Sequence, residues 1–440
     1  MTRDQSWGHY PQVQHRDIVP LYWRDALPRL ESFSHSVLPR AMGRSYGDCC
    51  LNADAILLDV TPLDRWIDFD TERGLVRCEA GVSLAELLRV LVPRGWFLPV
   101  VPGTKFVSVG GAIANDVHGK NHHRAGSFGA YVRRFALLRS DGRCLECSPT
   151  EESELFQATI GGLGLTGVIL WAELALRPVA GPWILEERRP LRDLDEFFAY
   201  APEADRAHEY TVAWIDALAG TAARGRGVLI TGDHAEAPVM QSPPRRRTWH
   251  VPCALPGGGL PRPAVRAFNA GLAWWAARRG VVRRVVDCDR FFFPLDAFGD
   301  WNRLYGRRGF LQYQCVVPLP VAPAVLREIL TLLAQARASA YLSVLKLFGE
   351  RPSVGLLSFP RAGATLALDL PFRGTPTLQV LDVCDQLVLS AGGAVYPAKD
   401  ARMSAAAFRG FFPNAERFCR LIDPKFSSSF WRRVWEERGV

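Results

Sequence analysis

The chain has 440 residues, of which 48% are hydrophobic and 22% charged, the balance of a globular protein with a substantial core. This length predicts two domains or one large domain with an insertion. No run of about 18 apolar residues occurs, and the N-terminal stretch is polar, so neither a transmembrane helix nor a secretory signal is predicted and a cytoplasmic location is expected. The formal net charge of +8 leaves nucleic acid and anionic lipid to be considered as partners.

The arginine clusters do not form a nucleic-acid-binding module. They lack aromatic residues at a recognisable spacing, so solvated faces or attraction to anionic lipid headgroups explain them more simply. No nucleic-acid partner is therefore predicted. The clusters comprise Arg245, Arg246, Arg247, Arg278, Arg279, Arg283 and Arg284.

Neither the cysteines nor the histidines form a metal-binding pattern. Cys144 and Cys147 make a lone CxxC on a predicted strand, where an odd separation points them to opposite faces. His118, His122 and His123 lie close in sequence, but the glycine and asparagine between them disfavour a helix, and no HExxH pattern is present. No metal site is predicted, and the adjacent Cys49 and Cys50 are interpreted as packed thiols.

The first half of the chain alternates strand-like and helix-like segments. Residues 55–60 and 75–81 predict strands, and residues 83–95 predict a helix with Ser83 as the N-cap and Gly95 as the stop. Residues 131–178 predict further strands separated by turns. This α+β pattern differs from a regular doubly wound fold.

Three glycine-bearing stretches stand between these elements: AMGRSYGD at 41–48, PGTKFVSVGGAIANDVHGKNHHRAGSFG at 102–129 and GGLGLTG at 161–167. The second has no steady helical or strand period, and long irregular stretches inside domains are usually functional. Glycine allows backbone to approach a ligand closely, and Arg44 suits a pyrophosphate. Neither a Walker A loop nor a good Rossmann fingerprint is present. A dinucleotide held by three separated loops is the better prediction.

The region from about residue 180 to 393 predicts an antiparallel sheet covered by helices on one face. Its strand signals are LQYQCVVP, YLSVLKLF and ATLALDLPF. Earlier in the same region, residues 236–263 are rich in proline, glycine and arginine and predict a mobile loop.

Strand periodicity and one short motif single out polar side chains. Lys346 shares a face with apolar neighbours, which favours a functional lysine, although an edge lysine reaching water explains the pattern too. Gln312 and Gln314 share a face that suits either a sugar or solvent. Thr365, Ala367 and Asp369 also share one face. Lys399 precedes Asp400 in the YPAKD motif, and this pair by itself predicts a surface salt bridge.

The three glycine loops, in this order and spacing, resemble the vanillyl-alcohol-oxidase or PCMH-type family of FAD enzymes. Within it they are most similar to the decaprenylphosphoryl-β-D-ribose oxidases, and PLDAFGDWNRLYG, FLQYQCVVP, VLKLFGE and YPAKDAR extend the resemblance over nearly the whole chain. The implied α+β fold has a two-subdomain PCMH-type FAD-binding domain at 1–180 and an inserted substrate domain, built on an antiparallel sheet, at 181–393. Residues 394–440 are expected to return to the FAD-binding domain.

The resemblance implies an FAD-dependent oxidoreductase. Its substrate would be a polyprenyl-phosphoryl ribofuranose, whose C2′ hydroxyl loses hydride to flavin N5 and gives the 2′-keto sugar, the first half of epimerisation to arabinose for the cell envelope. The implied partners are a short-chain dehydrogenase/reductase and a quinone or oxygen as electron acceptor, with peripheral contact at the inner membrane. The alternative is an oxidase or dehydrogenase of a soluble sugar, alditol or sugar lactone.

The resemblance also implies site residues. The catalytic and substrate-facing set comprises Lys399, His118, Tyr46, Lys346, Gln312, Gln314 and Lys120. The cofactor-binding set comprises Arg40, Ala41, Met42, Gly43, Arg44, Ser45, Tyr46, Pro102, Gly103, Thr104, Val107, Ser108, Gly110, Gly111, Asn115, His118, Gly119, Asn121, Gly164, Val168, Ile169, Tyr396 and Ala398.

The chain departs from patterns within the family in two respects. Arg44 stands where many relatives attach FAD through a histidine, so non-covalent FAD is predicted. Thr365 and Ala367 stand where mycobacterial-type members carry asparagine and cysteine. The missing cysteine predicts resistance to cysteine-directed inhibitors, and both changes leave the choice of sugar open.

Overall fold

The structure is a computed structural model that describes residues 4–236, 248–256, 259–338 and 340–436. The mixture of helices and largely antiparallel sheets confirms the predicted α+β class. Arg245, Arg246 and Arg247, and part of the predicted mobile loop at 236–263, lie outside the described residues.

Two sheets are built from the first 175 residues. A small parallel sheet has the order Asp17–Pro20, Ile56–Asp59 and Val37–Arg40. An antiparallel sheet has the order Trp66–Asp70, Leu75–Glu79, Val168–Ala175, Val132–Leu138 and Cys144–Cys147. The strands predicted at 55–60 and 75–81 are thus confirmed.

An eight-stranded antiparallel sheet dominates the rest of the chain. Its order is Val282–Asp287, Trp183–Leu191, Gly227–His234, Tyr210–Ile215, Leu342–Phe348, Gly363–Pro371, Phe310–Val317 and Ala394–Val395. Leu345, Leu366 and Cys315 point to one face and join a buried cluster with helices Leu194–Ala207, Ala322–Gln335 and Thr375–Ser390. The predicted three-strand sheet is therefore part of a larger one, with these helices on one face.

Two short strand pairs and the remaining helices complete the fold. The pairs are Trp96–Phe97 with Arg177–Pro178 and Trp249–His250 with Phe298–Gly299. The other α-helices are Leu84–Leu91, Val109–Ala114, His122–Ala125, Ser153–Thr159, Arg262–Arg279, Cys288–Phe292, Ala405–Phe411, Ala415–Cys419 and Ser429–Trp431. Short 3₁₀ helices cover Leu30–Ser32, Asp48–Cys50, Val92–Arg94, Phe128–Tyr131, Thr221–Ala223, Pro294–Ala297 and Trp301–Tyr305, and a π-helix covers Arg432–Glu436.

The helix predicted at 83–95 begins and ends at the capping residues that the sequence indicated. The Ser83 side chain accepts from the Glu86 N–H while the Glu86 carboxylate accepts from the Ser83 N–H, which makes a capping box. The α-helix Leu84–Leu91 continues as a 3₁₀ turn and ends at Gly95, whose φ of 79° is left-handed.

Some helices were not predicted. The stretch 102–129, predicted to be irregular, contains helix Val109–Ala114, in which the Ser108 hydroxyl accepts from the Gly111 N–H, and the short helix His122–Ala125. Strands Val132–Leu138 and Val168–Ala175 confirm the strands predicted over 131–178, but helix Ser153–Thr159 lies between them. These helices are too short to show a period in the sequence, since four to seven residues make at most two turns.

Candidate active site

A cavity of about 550 Å³ lies between the glycine-bearing loops and the eight-stranded sheet. Its size falls within the range of roughly 300–1,000 Å³ usual for ligand pockets. One wall comes from residues 39–46, 101–120 and 163–169, the opposite wall from the sheet, and Tyr396, Ala398 and Lys399 close one side. The cavity therefore joins segments from both halves of the sequence.

The loop wall carries features that fit a dinucleotide. Gly43 and Gly164 have φ values of 58° and 79°, a conformation that glycine adopts without strain. Arg40 Nε and Asn115 Oδ1 are buried polar atoms with no hydrogen-bond partner among the described residues, although both side chains line the cavity. Buried polar atoms are normally satisfied, so this wall offers a donor and an acceptor to a bound group.

The sheet wall follows the two-residue period of its strands. Gln312, Gln314, Lys346, Thr365 and Ala367 all line the cavity, whereas the residues between them face the helices. Further along the sheet, Val212, Trp214, Ile230, Leu342 and Val344 add an apolar section to the same wall.

Lys346 contacts His118 and helps to keep its imidazole neutral. Its Nζ lies 2.8 Å from His118 Nδ1 and donates to Gly119 O at 2.6 Å. Burial, followed by repulsion from Lys346, lowers the pKa of His118 well below its usual value, so the imidazole is neutral. The Gln314 side-chain nitrogen lies 2.9 Å from the other ring nitrogen, Nε2, and also donates to Thr365 Oγ1 at 3.2 Å. Side-chain nitrogens of Lys346 and Gln314 therefore contact both ring nitrogens of the imidazole.

Lys399 forms a second polar group with Tyr46 and Asp369. Its Nζ lies 3.9 Å from the centre of the Tyr46 ring, and the Tyr46 N–H donates to Ala398 O. Burial lowers the pKa of Lys399 to about 8, opposed by attraction to the Asp369 carboxylate. Burial raises the pKa of Asp369 to about 7, although the Gln312 amide donates to it. This group can exchange a proton near neutral pH.

Three of the five lysines in the sequence line this cavity: Lys120, Lys346 and Lys399. Burial lowers the pKa of Lys120 to about 7. Burial, followed by repulsion from Lys120 and Lys399, lowers the pKa of Lys346 to about 7. Lys120 Nζ donates to Phe291 O and lies 4.4 Å from the centre of that ring. The lysines thus concentrate positive charge that an anionic ligand would stabilise.

The structure brings nearly all of the predicted site residues to this cavity. Of both sets given above, only Asn121 and Val168 do not line it. Asn121 instead donates to Pro99 O, and Val168 is buried beside Leu138 because its neighbour Ile169 takes the cavity-facing side of the strand.

Two predictions for the lysines are wrong: that Lys346 reaches water from a sheet edge, and that Lys399 forms a surface salt bridge with Asp400. Lys346 lies on an interior strand and is buried, so it does not reach water at a sheet edge. Lys399 lines the cavity, and the neighbouring Asp400 binds Arg433 at 2.9 Å.

Sequence reasoning missed several aromatic and acidic side chains. Trp7 lies 4.0 Å beneath the Arg44 guanidinium, so this arginine stacks on an aromatic ring at the cavity wall. Trp214, Asp296 and Trp301 also line the cavity. Only the PLDAFGDWNRLYG motif, which contains Asp296 and Trp301, carried a signal for any of these residues.

The comparisons with known proteins agree with this geometry. A family model described as an FAD binding domain matches residues 24–148. Decaprenylphosphoryl-β-D-ribose oxidase of Mycolicibacterium smegmatis is 36% identical over 421 residues, covering 92% of this chain and 90% of that protein. An uncharacterized protein of Streptomyces coelicolor from the mprA 5′ region is 36% identical over 374 residues, covering 80% of this chain and all of that protein. Alditol oxidase of a Streptomyces species is 33% identical over 158 residues, covering 35% of this chain and 37% of that protein.

The chain is an FAD-dependent oxidoreductase. It belongs to the PCMH-type, or vanillyl-alcohol-oxidase-type, FAD-binding family, in the branch that includes decaprenylphosphoryl-β-D-ribose oxidase. FAD is its cofactor, and the three-loop wall with its left-handed glycines and unsatisfied polar atoms fits that group.

Proposed function

We propose that the chain oxidises the C2′ hydroxyl of a polyprenyl-phosphoryl ribofuranose to the 2′-keto sugar, with FAD accepting the hydride at flavin N5. The observation that carries this proposal is the trio of lysines, one buried and two partly buried, in a cavity with an apolar section. A phosphodiester matches the lysines in charge, and a prenyl chain matches Trp214, Ile230 and Val344 in polarity. A relative that is 36% identical over 92% of this chain is named decaprenylphosphoryl-β-D-ribose oxidase.

Different side chains have separate roles in this reaction. Lys399 takes the hydroxyl proton as a neutral amine or holds the hydroxyl by a hydrogen bond, and Asp369 sets its charge. Lys346 and Gln314 fix the orientation of His118 beside the sugar. Arg44 cannot form a covalent flavin link, so FAD is held by contacts with the loops alone.

The same proposal assigns a cofactor domain and a substrate domain to the chain, and it includes two partners. Residues 1–180 and 394–440 hold the cofactor, and residues 181–393 hold the substrate. A short-chain dehydrogenase/reductase reduces the keto sugar to arabinose, and a quinone or oxygen reoxidises the flavin.

The test follows the visible absorbance of the flavin under anaerobic conditions. A short-chain polyprenyl-phosphoryl ribofuranose is expected to bleach the flavin and to lose two hydrogen atoms by mass, whereas the arabinose epimer and soluble alditols are not. Acid precipitation beforehand is expected to leave all of the flavin in the supernatant.

A second candidate is the oxidation of a soluble sugar, alditol or lactone. The similarity of about a third of the chain to alditol oxidase favours it. Bleaching by soluble polyols, without bleaching by the lipid-linked sugar, would replace the first proposal with this one. Absence of bleaching by either class would reject both.

A further inference from the structure

Helix Arg262–Arg279 exposes large apolar side chains. Of its 18 residues only Val265 and Asn269 are buried. Phe268, Trp274 and Trp275 are 70%, 61% and 45% exposed. Ala264, Ala267 and Gly271 fill the spaces between these rings on the same outward face. A contiguous exposed apolar face of this kind marks an interaction surface.

The sequence around this helix is strongly basic. Between residues 237 and 286 it contains nine arginines and no aspartate or glutamate, so this stretch accounts for the entire formal net charge of +8. Arg278 and Arg279 lie 5.2 Å and 4.1 Å from the rings of Trp274 and Trp275. Neither arginine forms an ion pair within the part of the chain that the structure describes. Their charges are therefore available to an anionic surface.

The helix lies on the face of the eight-stranded sheet that also lines the cavity. It contacts strands Trp183–Leu191 and Gly227–His234, and Asn269 donates to Asp216, the residue directly after strand Tyr210–Ile215. Helix Leu194–Ala207 packs against the other face through Phe197 and Ala201. At the start of the basic helix, Leu260 O accepts from the hydroxyl of Tyr341, next to the strand that carries Lys346.

We propose that the exposed face of helix Arg262–Arg279 binds the surface of an anionic lipid bilayer. Aromatic rings beside arginines are typical of helices that lie in the bilayer interface. A second copy of this chain fits less well, because in a symmetric dimer this basic face would meet itself and place like charges opposite one another. The proposal rests on the exposed helix and is independent of the proposed substrate.

The experiment measures co-sedimentation of the FAD-loaded protein with lipid vesicles. Vesicles of phosphatidylcholine containing phosphatidylglycerol are expected to bind the protein more tightly than vesicles of phosphatidylcholine alone. The triple variant Phe268→Ser/Trp274→Ser/Trp275→Ser is expected to lose binding to both. Arg278→Gln/Arg279→Gln is expected to lose about tenfold or more of the affinity for anionic vesicles, since each basic residue near such a surface contributes strongly.

Matched controls change the same residue types elsewhere. Tyr22→Ser/Trp23→Ser removes two exposed aromatic rings, and Arg73→Gln/Arg143→Gln removes two exposed arginines. Both controls are expected to bind vesicles like the unmodified protein. Flavin content and melting temperature verify that every variant is folded.

Three outcomes would overturn the proposal: no vesicle binding by the unmodified protein, equal binding by the helix variants, or equal loss in the controls. A change in oligomeric state on size-exclusion chromatography, without a change in vesicle binding, would assign the helix to a second copy of the chain. The vesicles contain no sugar and the flavin is not turned over, so failure of the proposed oxidation leaves this result unaffected.

Discussion

Burial brings the pKa of Lys399 close to neutral pH, where a side chain can transfer protons. An exposed lysine is charged at neutral pH, but desolvation lowers the pKa of Lys399 to about 8. Asp369 opposes that shift, and its own pKa is raised to about 7 because it is buried. Small changes in the environment can therefore move a proton between these two groups, and the neutral amine of Lys399 can accept a proton from a substrate hydroxyl.

We expect Lys399→Ala to retain FAD and to lose turnover by about 10²- to 10⁴-fold, the usual contribution of general acid–base catalysis. Flavin content and the rate of substrate-dependent bleaching measure the two properties separately. Lys425→Ala is the matched control, because Lys425 donates to Phe33 O and does not line the cavity. Unchanged turnover in Lys399→Ala would remove Lys399 from the reaction.

The pH profile of the same reaction separates the two roles of Lys399. A base must be the neutral amine, which predominates above its pKa, so the bleaching rate is expected to rise as pH increases through about 8. This rise should be absent in Lys399→Ala. A rate that falls over this range would instead indicate that the ammonium holds the substrate by donating a hydrogen bond.

At the scale of single elements, strand periodicity was the most reliable part of the sequence. It predicted that Gln312 and Gln314 share one face of a strand, and it favoured a functional role for Lys346. All three side chains line the cavity. It could not show that His118 binds both Lys346 and Gln314, because those contacts span 228 and 196 residues. Loop residues have no period from which their direction can be read.

The third glycine loop provides a test at this scale. Gly164 and Gly392 have φ values of 79° and 72°, and an added Cβ would lie 3.1 Å from Pro39 in one and 4.0 Å from Pro318 in the other. We expect alanine at either position to lower the free energy of unfolding by about 1–3 kcal/mol through backbone strain. Only Gly164→Ala should also weaken FAD binding, because Gly164 lines the cavity and Gly392 does not.

Thermal unfolding of the flavin-free proteins and titration with FAD measure these two effects. Gly392→Ala is the control for strain without contact with the cofactor. Equal FAD affinities in the two variants would show that the third loop does not hold the cofactor.

At the scale of the whole molecule, the two ends of the sequence meet beneath the first glycine loop. Arg433 binds the Asp48 carboxylate at 2.7 Å and the Asp400 carboxylate at 2.9 Å. The Val37 N–H also donates to Lys425 O. Composition and periodicity gave no sign of these contacts, and only the resemblance predicted that residues 394–440 would return to the first part of the chain. The proposed domain boundaries remain a prediction.

We expect Arg433→Gln to lower the free energy of unfolding by about 3–5 kcal/mol, because it leaves the buried Asp48 carboxylate without its cation, whereas Asp400 keeps Arg402 at 3.9 Å. The loss should be larger at neutral than at acidic pH, because burial raises the pKa of Asp48 and protonation of this carboxylate removes its unpaired charge. Thermal or urea unfolding across pH measures it, with the exposed Arg73→Gln as control. Equal stabilities of the two variants would contradict this account of the contact.

The junction of the two ends also has a consequence for protein synthesis. Asp48 and Arg433 are 385 positions apart, and Lys399 lies between them in sequence but beside Tyr46 in space. A nascent chain on the ribosome therefore carries the first glycine loop long before the residues that complete its cavity have emerged. The wall of the flavin site can be completed only after translation has passed Lys399, so the site is assembled late in the synthesis of the chain.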